Sequence, residues 1–190
     1  MKIGCVENLF SEGQIYVSLR PDTAILRNND DFYMPHFSTD VVCGCAVLVR
    51  ITRLAKCLDA RFASRCYDAI GVGVTFVARD VMQKALAEGR PCEEAYTFDR
   101  SFAVSPEMKE PSAIGDGSVQ MCVNGAIVQS FAIDKMRSSI DKCVSRASQS
   151  LTLKTGDIVA MPMPADVTVR MGDNLRVSLD ENDELNFMIK

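Results

Sequence analysis

The sequence predicts one α+β domain, mostly β, and three observations carry that expectation. Apolar and polar residues alternate with a period of two through much of the second half. Asn124-Gly125 sits between two β-forming runs, and only three short stretches show helical spacing. With 190 residues and 47% hydrophobic composition, the chain has enough apolar side chain for a single core. No internal repeat or linker-like stretch divides it, so one domain is expected to span residues 1–190.

The first helix is expected from Asp59, as cap, through Ile70. Phe62, Cys66 and Ile70 recur at i, i+4 and i+8, and Gly71 would end it. A second is expected from about Asp80 through Val81, Met82, Ala85 and Leu86, stopping at Gly89-Arg90-Pro91. Val119 to Gln129 reads as a hairpin, because Asn124-Gly125 supplies both positive-φ positions of a type I′ turn. A third helix, with Asp134 as N-cap, would bury Met136, Ile140, Cys143, Val144 and Ala147. The C-terminus reads as a meander with one buried face. Val167, Val169 and Met171 alternate with polar residues, a turn follows at Gly172-Asp173-Asn174, and Leu175, Val177 and Leu179 alternate in turn. After Asp180 to Glu184 come Leu185, Phe187 and Ile189.

Charge narrows the partners. The net charge of -4, with Lys and Arg scattered, gives no reason to expect nucleic acid or an anionic membrane. Glu7 interrupts the N-terminus before any signal-like apolar run forms. No segment approaches the roughly 20 apolar residues of a membrane span, so a cytoplasmic location is expected. The eight cysteines include no Cys-x-x-Cys pair and no Cys/His grouping, which makes them small buried hydrophobes in a reducing compartment.

An ordered set of short motifs runs through the chain. Arg20-Pro21-Asp22-Thr23-Ala24 leads to Met34-Pro35 and to Asp40-Val41. Then come Val47 to Ile51, the stretch Gly71 to Asp80 ending in Ala78-Arg79-Asp80, and Phe98-Asp99. Val123-Asn124-Gly125, Leu151 to Ile158 and Gly172-Asp173 follow. Over roughly residues 15 to 190, this order and spacing resemble the fumarylacetoacetate hydrolase family. The resemblance implies a rolled β-sheet with a few short helices, usually dimeric. It also implies Mg²⁺, Mn²⁺ or Ca²⁺ held by carboxylates, and a metal that acts as Lewis acid on a 2-oxo acid or β-diketone. Family activities include carbon–carbon hydrolysis, decarboxylation, hydration and isomerisation.

The positions that would carry this chemistry differ. The family's Glu-x-Glu pair corresponds by resemblance to Gly44 and Ala46, and its third ligand, an Asp, to Thr75. The Lys before Phe-Asp corresponds to Tyr96, and the Gln after Ala-Arg-Asp to Met82, with Gln83 turned about 100° away on a helix. The Thr-Gly-Thr-Pro loop reads Met161-Pro162-Met163-Pro164, and the Asn-Tyr-x-x-His segment reads Glu7-Asn8-Leu9-Phe10. Arg20, Gly44, Ala46, Thr75, Arg79, Asp80, Met82, Tyr96, Met161 and Met163 are therefore expected to line a vestigial pocket with no metal and no catalytic residue. Loss of second-shell groups alone costs about 10–100-fold, and here three ligand carboxylates are neutral. A homodimer, or a complex with an active relative, is the expected assembly. A rebuilt, still active site on a 2-oxo acid or β-diketone is the alternative.

Other groups take plainer readings. Asp80 is expected to cap its helix and Arg79 to pair with a carboxylate. His36, the lone histidine, is expected in an exposed loop. Cys43 and Cys45 share a strand face without further ligands, and Glu93-Glu94 are expected to be solvated. Met161 and Met163 are expected to fill space left by metal and substrate; an apolar small-molecule site beside them is the alternative.

Overall fold

The computed structural model describes residues 1–9, 14–115 and 117–190, with Lys135 described by its backbone alone. Among them are twelve strands and two α-helices. The strands are β1 (Ile3–Glu7), β2 (Tyr16–Arg20), β3 (Ile25–Leu26), β4 (Val41–Ile51), β5 (Tyr67–Ala78) and β6 (Phe102–Val104), with helix α1 (Arg79–Ala87) between β5 and β6. Next are β7 (Ser118–Val123), β8 (Ala126–Ala132), helix α2 (Ile133–Ser150), β9 (Ile158–Pro162), β10 (Val167–Thr168), β11 (Asn174–Leu179) and β12 (Asn182–Met188). The larger sheet runs β2-β1-β9-β4-β5-β6-β3, with β10 also on β4, and the smaller runs β12-β11-β7-β8.

The long β4–β5 pair is the spine. Its antiparallel register places Val42 opposite Val77, Gly44 opposite Thr75 and Ala46 opposite Gly73. Strand side chains alternate between faces, so one face presents Cys43, Cys45, Val47, Val49, Val72, Val74 and Phe76 to the main core. There Phe76 stacks on Phe32 with ring centroids 3.8 Å apart. The opposite face contributes Ala46 and Leu48 to a smaller cluster with Ile3, Cys5, Ile25, Phe102, Ile158 and Ala160. Burial on both faces explains why β4 reads as a continuous apolar run.

The hairpin forms as its turn chemistry requires. Asn124 and Gly125 have φ of 51° and 82°, the two positive angles of a type I′ turn. Helix α2 buries Met136, Ile140, Cys143, Val144 and Ala147, the predicted stripe. The C-terminal β11–β12 hairpin turns through Asp180 and Glu181, both at positive φ.

Four expectations need correction. The helix from Asp59 to Ile70 is only a 3-10 turn over Ala60–Arg65. Asp59 caps it by accepting from the Arg61 N–H, but β-branched and aromatic residues from Tyr67 onward join the central sheet, and Ile70 lies in β5. Asp134 is not the N-cap of α2; Ala132 holds that position with no side-chain bond, because β8 runs straight into the helix. Asp80 lies inside the first turn of α1, with Ala78 as N-cap. The stretch Val167 to Met171 is no meander strand. Only Val167–Thr168 pairs, and it pairs with β4 in the other sheet, leaving Met171 73% exposed.

Of the cysteines, Cys5, Cys43, Cys45, Cys66, Cys122 and Cys143 are buried. Burial pushes the thiols of Cys5, Cys45 and Cys143 up to about 12, and that of Cys43 also well upward, so these groups stay protonated and inert. Cys57 is exposed and Cys92 partly so. His36, Glu93 and Glu94 are exposed.

Candidate functional site

A cavity of about 670 Å³ opens beside the β4–β5 pair. Its size falls in the range of small-molecule sites. Three elements build its polar end. Tyr16, Ser18 and Arg20 lie at alternate positions of β2 and so share one face, while Glu7 ends the neighbouring β1 and Tyr96 follows a short 3-10 turn. The apolar wall comes from Val42, Val77, Met82, Leu86, Pro162 and Met163.

Arg20 is 3% exposed, and its guanidinium lies over the Tyr96 ring at 4.0 Å from the centroid. Its Nη1 donates to Ser18 Oγ at 2.9 Å, and its Nη2 reaches Glu7 Oε1 only at 3.5 Å. Ser18 Oγ in turn donates to Glu7 Oε1 at 2.7 Å. The Nε of Arg20 and the hydroxyl of Thr75 are buried without a protein partner. Such groups are rare in folded proteins, and a missing bond to a charged group is the costly kind. Burial, helped by Glu7 for Tyr16 and by Glu93 for Tyr96, raises both phenols, so both stay neutral hydroxyls at neutral pH.

Arg20, Thr75, Arg79, Met82, Tyr96 and Met163 line the cavity as expected from the sequence; Gly44, Ala46, Asp80 and Met161 do not. Gly44 shares the face of Val42 but is covered. A Cβ there would meet the Pro164 carbonyl oxygen at 2.6 Å and that of Met163 at 2.9 Å. Ala46 lies two residues deeper, in the smaller apolar cluster. Met161 is fully buried in the main core, because alternation on β9 turns it away. Asp80 is turned towards the preceding loop. It accepts from Ser38 Oγ at 2.6 Å and from the backbone N–H groups of Thr39 and Val81 at 2.9 Å. Burial works to raise its carboxyl, yet these bonds win and hold it below the usual range. Arg79 forks onto Asp40 at 2.7 and 2.8 Å, so its charge is already matched.

Sequence reasoning missed Val42, which faces Val77 across the register and flanks the cavity where Ala46 does not. It also missed Tyr16 and Ser18. The period-two spacing back from Arg20 was the available signal. Glu7 and Leu9 line the cavity too, whereas Phe10 of the same expected segment lies outside the described residues.

The segment after β9 is pinned over Gly44 by one side chain. Gln129 Oε1 accepts from the Cys45 N–H, and its Nε2 donates to the Pro164 carbonyl and to Asp166 Oδ1, each at 2.9 Å. These bonds satisfy β4 where it lies between its β9 and β10 pairings.

A hard divalent cation takes several oxygen ligands, with one or more carboxylates among them. Glu7 is the one carboxylate among the described lining residues, and it already accepts from Ser18 and Arg20. Among the described residues no three His, Cys, Asp or Glu side chains are grouped to hold a metal ion. Among the described residues the donor set does not fit Mg²⁺, Mn²⁺ or Ca²⁺.

Comparison with known proteins places this geometry. The oxaloacetate tautomerase YcgM of Escherichia coli is 30% identical over 173 residues, covering 85% of this chain and 76% of the relative. The mitochondrial oxaloacetate tautomerase of Mus musculus is 24% identical, covering 90% and 79%. Among solved structures, the fumarylpyruvate hydrolase of Pseudomonas aeruginosa, in complex with Mn²⁺ and pyruvate, superimposes with a TM-score of 0.86 at 20% identity, covering 100% of this chain and 89% of that one. The 2-hydroxyhepta-2,4-diene-1,7-dioate isomerase of Mycobacterium marinum gives 0.84 at 22%, covering 99% and 73%. Both structures share the mostly β fold found here. The family model for the fumarylacetoacetate (FAA) hydrolase C-terminal region matches residues 10–189. With the match running through almost the whole chain, the protein belongs to the fumarylacetoacetate hydrolase family.

Proposed function

We propose that this chain is a metal-free, non-catalytic member of its family that works as a scaffold or binding protein. One observation carries the reading: the wall beside the cavity presents Val42, Gly44 and Thr75, with the Met163 and Pro164 carbonyls packed onto Gly44. None of these side chains is anionic. A carboxylate added at Gly44 would have to displace backbone before it could reach a cation. The neutral replacements also agree with one another, since an acid buried without its metal would cost several kcal/mol. Self-association, or pairing with an active relative, is the proposed mode of action, in the cytoplasm and without a nucleic-acid partner. Sedimentation at micromolar concentration should show a dimer; a monomer at every concentration tested would remove the homodimer.

Turnover is the direct test. Oxaloacetate and acylpyruvates, supplied with excess Mg²⁺ or Mn²⁺, should be converted no faster than in buffer. Metal-dependent turnover would overturn the proposal. A second reading, a metal-independent tautomerase, is favoured by the likeness to YcgM and by the Arg20–Tyr96 stack beside the buried Thr75 hydroxyl. It requires turnover in the presence of a chelator that Tyr96→Phe abolishes, with Tyr96 as the acid.

A further inference from the structure

Two arginines, Arg20 and Arg79, line the cavity along with its apolar wall, and Arg20 is the under-satisfied one. Arg20 is 3% exposed, yet only its bond to Ser18 Oγ is short. Its contact with Glu7 is 3.5 Å long, and Glu7 Oε1 is shared with Ser18. Arg20 Nε and the Thr75 hydroxyl have no protein partner, and both residues lie on the cavity wall. Tyr96 holds the guanidinium plane by stacking, which orders the fork in advance. Arg79 does not compete, because Asp40 neutralises it.

We infer that this cavity takes an apolar molecule carrying a single carboxylate, seated on Arg20 beside Tyr96 without a metal ion. A carboxylate can accept from the guanidinium N–H groups that Ser18 and Glu7 leave free. The remaining body of the ligand would lie against Val42, Val77, Met82, Leu86 and Met163. Glu7 sets the charge limit. A second anionic group would find no further free cation among the described lining residues and would face Glu7, so a monoanion is selected over a dianion. The inference rests on the metal-free reading of the same site.

Calorimetry in a chelating buffer tests it with octanoate, octanamide and suberate, which share chain length and differ in charge. Octanoate should bind saturably at one per chain, with octanamide and suberate at least about tenfold weaker. Arg20→Met should weaken octanoate by at least about tenfold and leave octanamide unchanged. Should Arg20→Met fail to fold, Met82→Trp supplies the second arm. It fills the cavity from the partly exposed face of α1 and should weaken octanoate without touching the charged corner. Equal binding of octanoate and octanamide, or no binding of octanoate to folded wild type, overturns the inference. Repeating the titration with Mn²⁺ separates the two proposals. Saturable Mn²⁺ binding that octanoate requires would sink the metal-free reading. Absent octanoate binding with no Mn²⁺ site sinks only the ligand class.

Discussion

The two faces of the β4–β5 pair are built from the same backbone yet are finished differently. On one, Cys43, Cys45, Val47, Val74 and Phe76 are packed closed around the Phe32 stack. On the other, Val42 and Val77 border an open cavity, Thr75 keeps an unpartnered hydroxyl, and Gly44 is covered by backbone. The first face needs only shape and apolar surface, so its sequence carries the fold. The second face is where chemistry would be grafted, and there the residues can change without disturbing the frame. One face can thus hold the family's architecture while the other is free to vary in composition.

Substitutions on each face sharpen this contrast. The largest effect is expected at Phe76, fully buried and stacked on Phe32. Phe76→Ala should cost about 3–5 kcal/mol in urea denaturation. Gly44→Glu should follow, at about 3 kcal/mol, because its Cβ would press on the Pro164 carbonyl at 2.6 Å. It should bring no Mn²⁺ binding with it. If the variant is as stable as wild type, the segment over Gly44 yields easily and the wall is not closed.

Asp157 lies outside both faces and provides a control. Its carboxylate is buried, pairs with the Lys2 ammonium and accepts from the Lys2 and Lys154 backbone N–H groups. Asp157→Asn should cost about 2 kcal/mol near neutral pH. Burial works to raise this carboxyl, but the bonds from Lys2 and Lys154 outweigh it and the net shift is downward. A lowered folded value means the stabilisation is present above the ordinary carboxyl value of about 3.9 and fades as pH falls through the lowered one. Melting curves of wild type and Asp157→Asn should therefore converge in acid. The smallest effect is expected at Leu86, 64% exposed at the cavity mouth, where Leu86→Ala should change stability by no more than about 0.5 kcal/mol.

Much of the frame was legible in the sequence, and particular residues show why. Asn124-Gly125 dictates its own turn, and the stripe from Met136 to Ala147 dictates the buried face of α2. Both signals are local. The segment Asp59 to Ile70 misled because Phe62, Cys66 and Ile70 fit a helical period by accident, while pairing with β4 claimed the chain from Tyr67 onward. At the site, Arg20, Thr75 and Tyr96 could be found by motif, and period two back from Arg20 could have added Ser18 and Tyr16 but was not used. Val42 could not, since choosing between Val42 and Ala46 requires knowing how deep the cavity reaches along β4. Nor could the Gln129 clamp, which joins two sheets across 84 residues of sequence.

The central claim is that a hard dication finds no home beside Val42, Gly44 and Thr75. Isothermal titration of the purified protein with Mn²⁺, and separately with Mg²⁺, measures this directly. The expected result is heats of dilution only, with no saturable isotherm for either ion. A one-to-one isotherm with a micromolar dissociation constant, lost on Glu7→Gln, would contradict it and identify the carboxylate responsible.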